Sequence, residues 1–415
     1  MCGIDPSSLH IQGIIMRLRP FSQACSCTLA AATMLVLAVL AASPAHAQTY
    51  TVIHSFGSGT DGSNPTGLTL AEYLGILGVT QEGGSSGHGT AYSLTRPPDG
   101  EWTETILHSF SGTDGSDPFG VPEGSGISTI YGSTFGGGAH DYGTVFRIAR
   151  GVFTDIYNFC AASGCSDGAY PLGVLPCIPK AGDTLVICGT TEGGGADGKG
   201  AVFEVSPTTG VNTVVHSFAG GTDGAFPNGG LVSNNEGGAP LYGTTNEGGT
   251  NSLGTVFKMD TSTNTETVLH SFSGPPDGEY PLAGLLMNLS TGNLYGTTQY
   301  GGTHGYGTVF EVSAAGTETV LYSFTGGSDG ASPQGTLVSD TEGNLYGTAM
   351  YTLFKLSTGG TLTVLYTFCT VPACPDGEGP TGALAGSGNS GSAIYGTTFT
   401  GGAYGGGVAF EVTFD

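Results

Sequence analysis

The sequence predicts an all-β protein, a seven-bladed β-propeller with four antiparallel strands per blade, and three observations predict it. One motif recurs seven times: a strand ending in Ser-Phe, a glycine-rich turn with Asp-Gly, a Pro, a short apolar run, Tyr-Gly-Thr-Thr, paired glycines and Gly-Thr-Val-Phe. Its closing Phe falls at Phe56, Phe110, Phe159, Phe218, Phe272, Phe324 and Phe368, a period of about fifty residues, which suits one four-stranded blade. Each unit also contains four β-rich runs too short for a typical helix. Finally, the two ends of the repeat region are complementary fragments of one unit.

The fifth unit shows the elements in order, with strands expected at residues 284–287, 293–298, 307–312 and 318–324. Val, Thr, Tyr and Phe dominate these runs, and Gly, Asn, Ser and Pro punctuate the junctions. The Gly-x-Leu run is expected innermost, Tyr-Gly-Thr-Thr second, Gly-Thr-Val-Phe third and the Ser-Phe strand outermost. The first strand, residues 50–56, lacks its three partners, and the last unit, ending in Gly407-Val408-Ala409-Phe410-Glu411-Val412, lacks its outermost strand. Pairing one on the other closes the ring and covers two strand edges at once. The sixth unit shortens to Tyr351-Thr352-Leu353-Phe354 and has lost its paired glycines.

Residues 1–47 read as a signal peptide. Arg17 and Arg19 precede an apolar run over 29–42, and Ala45-His46-Ala47 supplies an A-x-A cleavage site,. Met16 begins a more ordinary signal, so the true start is expected there or at Met1. Residues 48–415 then form a single propeller domain. The apolar run is shorter than the ~20 residues a spanning helix needs, so no membrane span is expected in the mature chain.

Nine Lys and Arg stand against thirty-three Asp and Glu, a net charge of −24. Such a chain lacks the clustered cations that nucleic acid or an anionic membrane would need. Six cysteines follow the cleavage site. Cys160 with Cys165, and Cys369 with Cys374, bracket the same inter-blade loop in two repeats, while Cys177 and Cys188 flank a turn at 180–183. The even count and secreted context predict three local disulfides in those pairs.

Asp-Gly recurs at Asp61, Asp114, Asp167, Asp223, Asp277, Asp329 and Asp376. An Asp-Gly turn closes itself, since Asp caps its own backbone and Gly accepts positive φ. These loops open on the same face as the paired-glycine loops, however, and that acidic crown also suits Ca²⁺. His54, His108, His216 and His270 share a repeat position with Tyr157, Tyr322 and Tyr366, which marks a packing position with one hydrogen bond,. Tyr142, Tyr300, Tyr306 and Tyr404 lie in glycine-rich crown loops, where a ring beside Asp or Asn stacks on sugar. Blade two breaks the repeat at His140-Asp141-Tyr142. No nucleophile elbow or phosphate loop is present in the sequence.

The run Leu241-Tyr242-Gly243-Thr244-Thr245, through Gly248-Gly249 to Gly254-Thr255-Val256-Phe257, resembles the tandem repeat of the bacterial choice-of-anchor GloVer family. The glycine pair after a Tyr-containing strand is also loosely similar to kelch blades. The GloVer resemblance covers essentially the whole mature chain and implies a secreted, periplasmic or surface-held bacterial protein, with no activity attached. The chain differs from anchored members in ending at Asp415 without a sorting motif or hydrophobic tail.

The expectation from sequence is therefore a monomeric binding or scaffolding module for a glycan or another surface polymer. The alternative is a polysaccharide hydrolase or lyase on the same crown, with Asp141 as acid or base and His140 as its partner.

Overall fold

The computed structural model describes residues 48–414 except 72–73, 99, 126–128, 179–183, 235 and 390–391. The signal peptide expected over 1–47, with its alternative start at Met16, and the turn at 180–183 lie outside the described residues. Seven four-stranded antiparallel sheets follow one another. Blade one is Gly62–Ala71, Gly75–Gly83, Thr90–Thr95 and Thr103–Ser109, and the same order runs through blade six, which ends at Leu362–Thr367. Blade seven takes Ala385–Gly386, Ala393–Thr398 and Val408–Phe414 from the end of the chain and Gln48–Ser55 from the start. Gln48 pairs with Phe414 and Ser55 with Val408, so the first strand closes the ring.

Among the described residues, seven hydrophobic clusters, one at each junction between neighbouring blades, form the core. The closing Phe of each outermost strand is fully or almost fully buried and meets an aromatic ring of the next blade. Phe110 lies 5.2 Å from Phe146, Phe159 4.9 Å from Phe203, Phe272 5.1 Å from Phe310, and Phe56 4.9 Å from Tyr92. A register shift after the third strand's Val, as between Val256 and Phe257, recurs in blades two to five. Such a bulge re-aims the side chains around it.

The innermost strands of blades five, six and seven are shorter than expected, Leu286–Met287, Val338–Ser339 and Ala385–Gly386. The residues before them pack backbone to backbone between blades instead of pairing within one. A Cβ on Gly382 would lie 2.7 Å from the Thr66 carbonyl, and one on Gly335 2.7 Å from the Gly382 carbonyl, so the Pro-x-Gly sequence is a close-approach device. In blade six the second and third strands are joined directly around Met350 and Tyr351, with Met350 at φ 48°, which is where the paired glycines were missing.

The innermost strands enclose a central channel with a cavity of about 430 Å³. No helix among the described residues is long and apolar enough to cross a membrane.

Candidate functional site

At every seam the Asp of the Asp-Gly turn meets the His or Tyr two residues before the closing Phe. The distances are 3.1 Å for His54–Asp61, 2.8 Å for His108–Asp114, 2.6 Å for Tyr157–Asp167, 3.0 Å for His216–Asp223, 3.1 Å for His270–Asp277, 3.0 Å for Tyr322–Asp329 and 2.8 Å for Tyr366–Asp376. His and Tyr interchange because either can donate to the carboxylate. The same carboxylates accept backbone N–H groups, from Ala219 to Asp223 at 2.6 Å and from Thr325 to Asp329 at 2.8 Å. Each Asp thus closes the loop of its own seam.

Among the described residues, three seams add a Glu from the next blade's outermost strand. His54, Asp61 and Glu104, then His216, Asp223 and Glu266, then His270, Asp277 and Glu318, each bring one ligand atom per residue within 4.8 Å of the others. These are acidic groups able to hold a metal ion. A fourth trio, Cys369, Cys374 and Glu378, is excluded because the two cysteines form a disulfide. Burial, then the hydrogen bond and charge of Asp61, push the Glu104 carboxyl up to about 8. Burial followed by the neighbouring Asp raises Glu266 and Glu318 to about 7. For Asp61 and Asp277 burial acts upward, but hydrogen bonds led by His54 and His270 hold both below the usual range.

The crown carries a cleft of about 420 Å³ across blades two to four, walled by Phe135, Tyr142, Tyr170 and Phe226 around Glu192. Phe135 stacks on Tyr170 at 4.9 Å, and Tyr142 lies 5.3 Å from it. Lys199 sits 5.4 Å over the Phe226 ring. Burial raises the Glu192 carboxyl. Cys165 and Gly164 line the rim, so the Cys160–Cys165 disulfide staples one wall.

The backbone at this cleft is unusual. The residue before each blade's Pro has positive φ: Asn64, Asp117, Tyr170, Phe226, Tyr280 and Ser332 lie between 48° and 62°, and Gly379 takes the place in blade seven. A residue before Pro ordinarily avoids this region, and an aromatic one there costs roughly 1–2 kcal/mol. It is held by the preceding blade's loop, with Tyr170 N–H donating to the Tyr142 carbonyl at 2.9 Å and Phe226 N–H to Lys199 at 2.8 Å.

Of the tyrosines expected on the crown, Tyr142 lies half-buried in this cleft, beside Tyr170 and Phe226, which the sequence reading passed over. Tyr300, exposed, meets Tyr280 edge-on at 6.2 Å, while Tyr306 and Tyr404 are exposed on blades five and seven. His140 and Asp141 are both exposed in the blade-two loop, Asp141 at φ 65°. Disulfides join Cys160 to Cys165, Cys177 to Cys188 and Cys369 to Cys374. Aligning the repeats on their Pro would have found Tyr170, Phe226 and Tyr280, three aromatics at one position in consecutive blades; read only as punctuation, Pro hid them.

A family model described as the Gloeobacter/Verrucomicrobia repeat matches residues 42–239. No curated protein matches the chain in sequence. Among solved structures, the extracellular domain of a one component system from B. thetaiotaomicron is 9% identical over 87% of this chain and 40% of its own, with a TM-score of 0.56. PorZ, a surface component of the type-IX secretion system of Porphyromonas gingivalis, is 16% identical over 87% of this chain and 48% of its own, at 0.51. An oligogalacturonate lyase in complex with manganese is 11% identical over 89% of this chain and 98% of its own, at 0.52. The chain thus spans 40% of the first structure's length, and at these identities the likeness is one of fold.

Proposed function

We propose, from the premise that this chain is a seven-bladed propeller of Gloeobacter/Verrucomicrobia repeats, that it is a secreted or surface-held monomeric binding module whose crown grips a glycan or another surface polymer. One observation carries the reading: three consecutive blades hold an aromatic residue, Tyr170, Phe226 and Tyr280, in a backbone conformation that Gly would adopt without strain. Strain kept at one face of a repeat protein points to use of that face. Rings beside a carboxylate in an open cleft suit sugar, because the ring covers the apolar face of a pyranose while Glu192 accepts its hydroxyls. Disulfides fit an oxidising compartment.

Retention on insoluble polysaccharides tests this. Tyr142→Ala is expected to weaken retention by about 0.5–1.5 kcal/mol. Tyr170→Gly is expected to weaken it similarly while leaving the melting temperature nearly unchanged, because relief of strain offsets the lost ring contact. A hydrolase or lyase would instead release oligosaccharides, with Asp141 or the cleft carboxylate of Glu192 required. Release that disappears in Asp141→Ala or Glu192→Gln would overturn the binding reading, and loss of retention on every polymer tried would remove the glycan.

The sequence suggested calcium at the Asp-Gly turns. A cation now fits best at the three seams that carry a Glu, and one imidazole with two carboxylates favours manganese or zinc over calcium. A metal bound only by the native state raises stability by about 2.7 kcal/mol at a hundred times Kd. Melting curves with manganese, with calcium and with chelator should separate in that order, and superimposed curves would leave the seams metal-free.

A further inference from the structure

The crown is one place where the seven-fold repeat breaks; the channel is another, and the two are independent. The residue after each blade's Pro lines the central cavity, giving in order around the ring Thr66, Phe119, Leu172, Asn228, Leu282, Gln334 and Thr381. Blades two and three therefore present an apolar pair, and blades six, seven and one a polar run whose Gln334 and Thr381 lie across the channel from it, with Asn228 and Leu282 between the two. Seven equivalent backbones carrying an uneven set of side chains make an oriented site, apolar on one wall and hydrogen-bonding on the other.

Blade two adds a second break. In blade one Gly67 faces Val79, Leu68 faces Gly78 and Thr69 faces Leu77. In blade two Phe119 faces Ser133 and the next paired residue is Glu123, facing Tyr131, so Gly120, Val121 and Pro122 all stand opposite Gly132. The innermost strand bulges by two extra residues there, and Pro at a bulge gives up no ladder hydrogen bond. The bulge brings Glu123 to the position of Thr69, on the cavity wall. Among the described residues lining the cavity, Glu123 alone carries an ionisable side chain. Burial acts on it with no hydrogen bond to offset the cost. Glu123 is half-buried, and burial alone favours its protonated form; a cationic donor in the channel would favour the carboxylate instead.

We propose that the central channel is a binding site for a monosaccharide-sized polyol bearing a primary ammonium group, an amino sugar in chemical class, with Glu123 as counter-ion. Phe119 and Leu172 take the apolar face of the sugar ring, and Asn228, Gln334 and Thr381 take its hydroxyls. Phe119, on the same bulged strand, adds a ring face that attracts an ammonium group. The chain's excess of acid over base draws cations toward the channel mouth,.

Isothermal titration of the full mature protein with glucosamine, N-acetylglucosamine and glucose at neutral pH tests the site. Glucosamine is expected to bind at least about tenfold tighter than the other two, the range of a charge-assisted contact. Glu123→Gln is expected to remove that preference and leave glucosamine no tighter than glucose. Tyr142→Ala on the crown should leave it intact, which separates this site from polymer retention. Phe119→Leu should weaken all three sugars together, and it stands in should Glu123→Gln fail to fold. Equal binding of the three sugars by the unaltered protein, absence of binding, or a preference that survives Glu123→Gln would overturn the proposal.

Discussion

Removing the first strand, residues 48–56, is expected to unfold the protein or drive it to aggregate, an effect far larger than its length suggests. The strand pairs along its length with Val408–Phe414. Tyr50 stacks on Tyr366 of blade six at 3.9 Å and donates its hydroxyl to the Asp376 carbonyl at 2.6 Å. Phe56, fully buried, reaches Tyr92 of blade one. One strand thus welds blades six, seven and one. Loss of Phe56 alone should cost about 3–5 kcal/mol, a large share of the 5–15 kcal/mol that typically holds a native state, and the bare edge of blade seven would invite pairing with another chain. Thermal melting and light scattering check this. A truncated protein that melts like the intact mature chain would show that the ring does not depend on this closure.

The second large effect is on pH. Glu104, raised to about 8, and Glu266, Glu318 and Glu123, raised to about 7, hold their protons more tightly folded than unfolded. Their stabilisation is fully present below the unfolded value near 4.5 and is lost as pH rises through 7 to 8. Asp61 and Asp277, held low, act oppositely: their contribution is present above 3.8 and lost as pH falls. Stability should therefore peak in mildly acidic solution. The melting temperature is expected to be higher at about pH 5.5 than at about pH 8.5, and Glu104→Gln, which keeps a donor toward Asp61 without a titrating proton, should flatten part of that decline. A melting temperature that rises steadily from pH 5.5 to 8.5 would contradict the seam assignment.

The architecture was legible because it is written seven times. Blade count, strand order and ring closure follow from spacing, two of the cysteine pairs follow from repeat position, and the third follows from the turn it flanks. The His–Asp contact was half legible: both residues recur in register, but only the fold shows that His54 closes on Asp61 and that Glu104 arrives from the next blade. Glu104 is about forty residues from Asp61 in sequence, and its own blade gives no sign of the partnership. The cleft was harder still. Tyr142 stood out as a loop aromatic, whereas Tyr170 and Phe226 sit beside Pro, where an aromatic with positive φ is the exception. The bulge that carries Glu123 into the channel is invisible to a repeat alignment that tolerates loop length.

Hydroxyl-radical footprinting with and without a retained polysaccharide reports whether the aromatic crown of blades two to four is the polymer-binding face. Phe135, Tyr142, Tyr170 and Phe226 should be protected together, with Phe153 on blade two's outermost strand and Trp102, just before blade one's, unchanged. Protection confined to the outermost strands, or none at the four crown rings while the polymer is bound, would contradict that assignment.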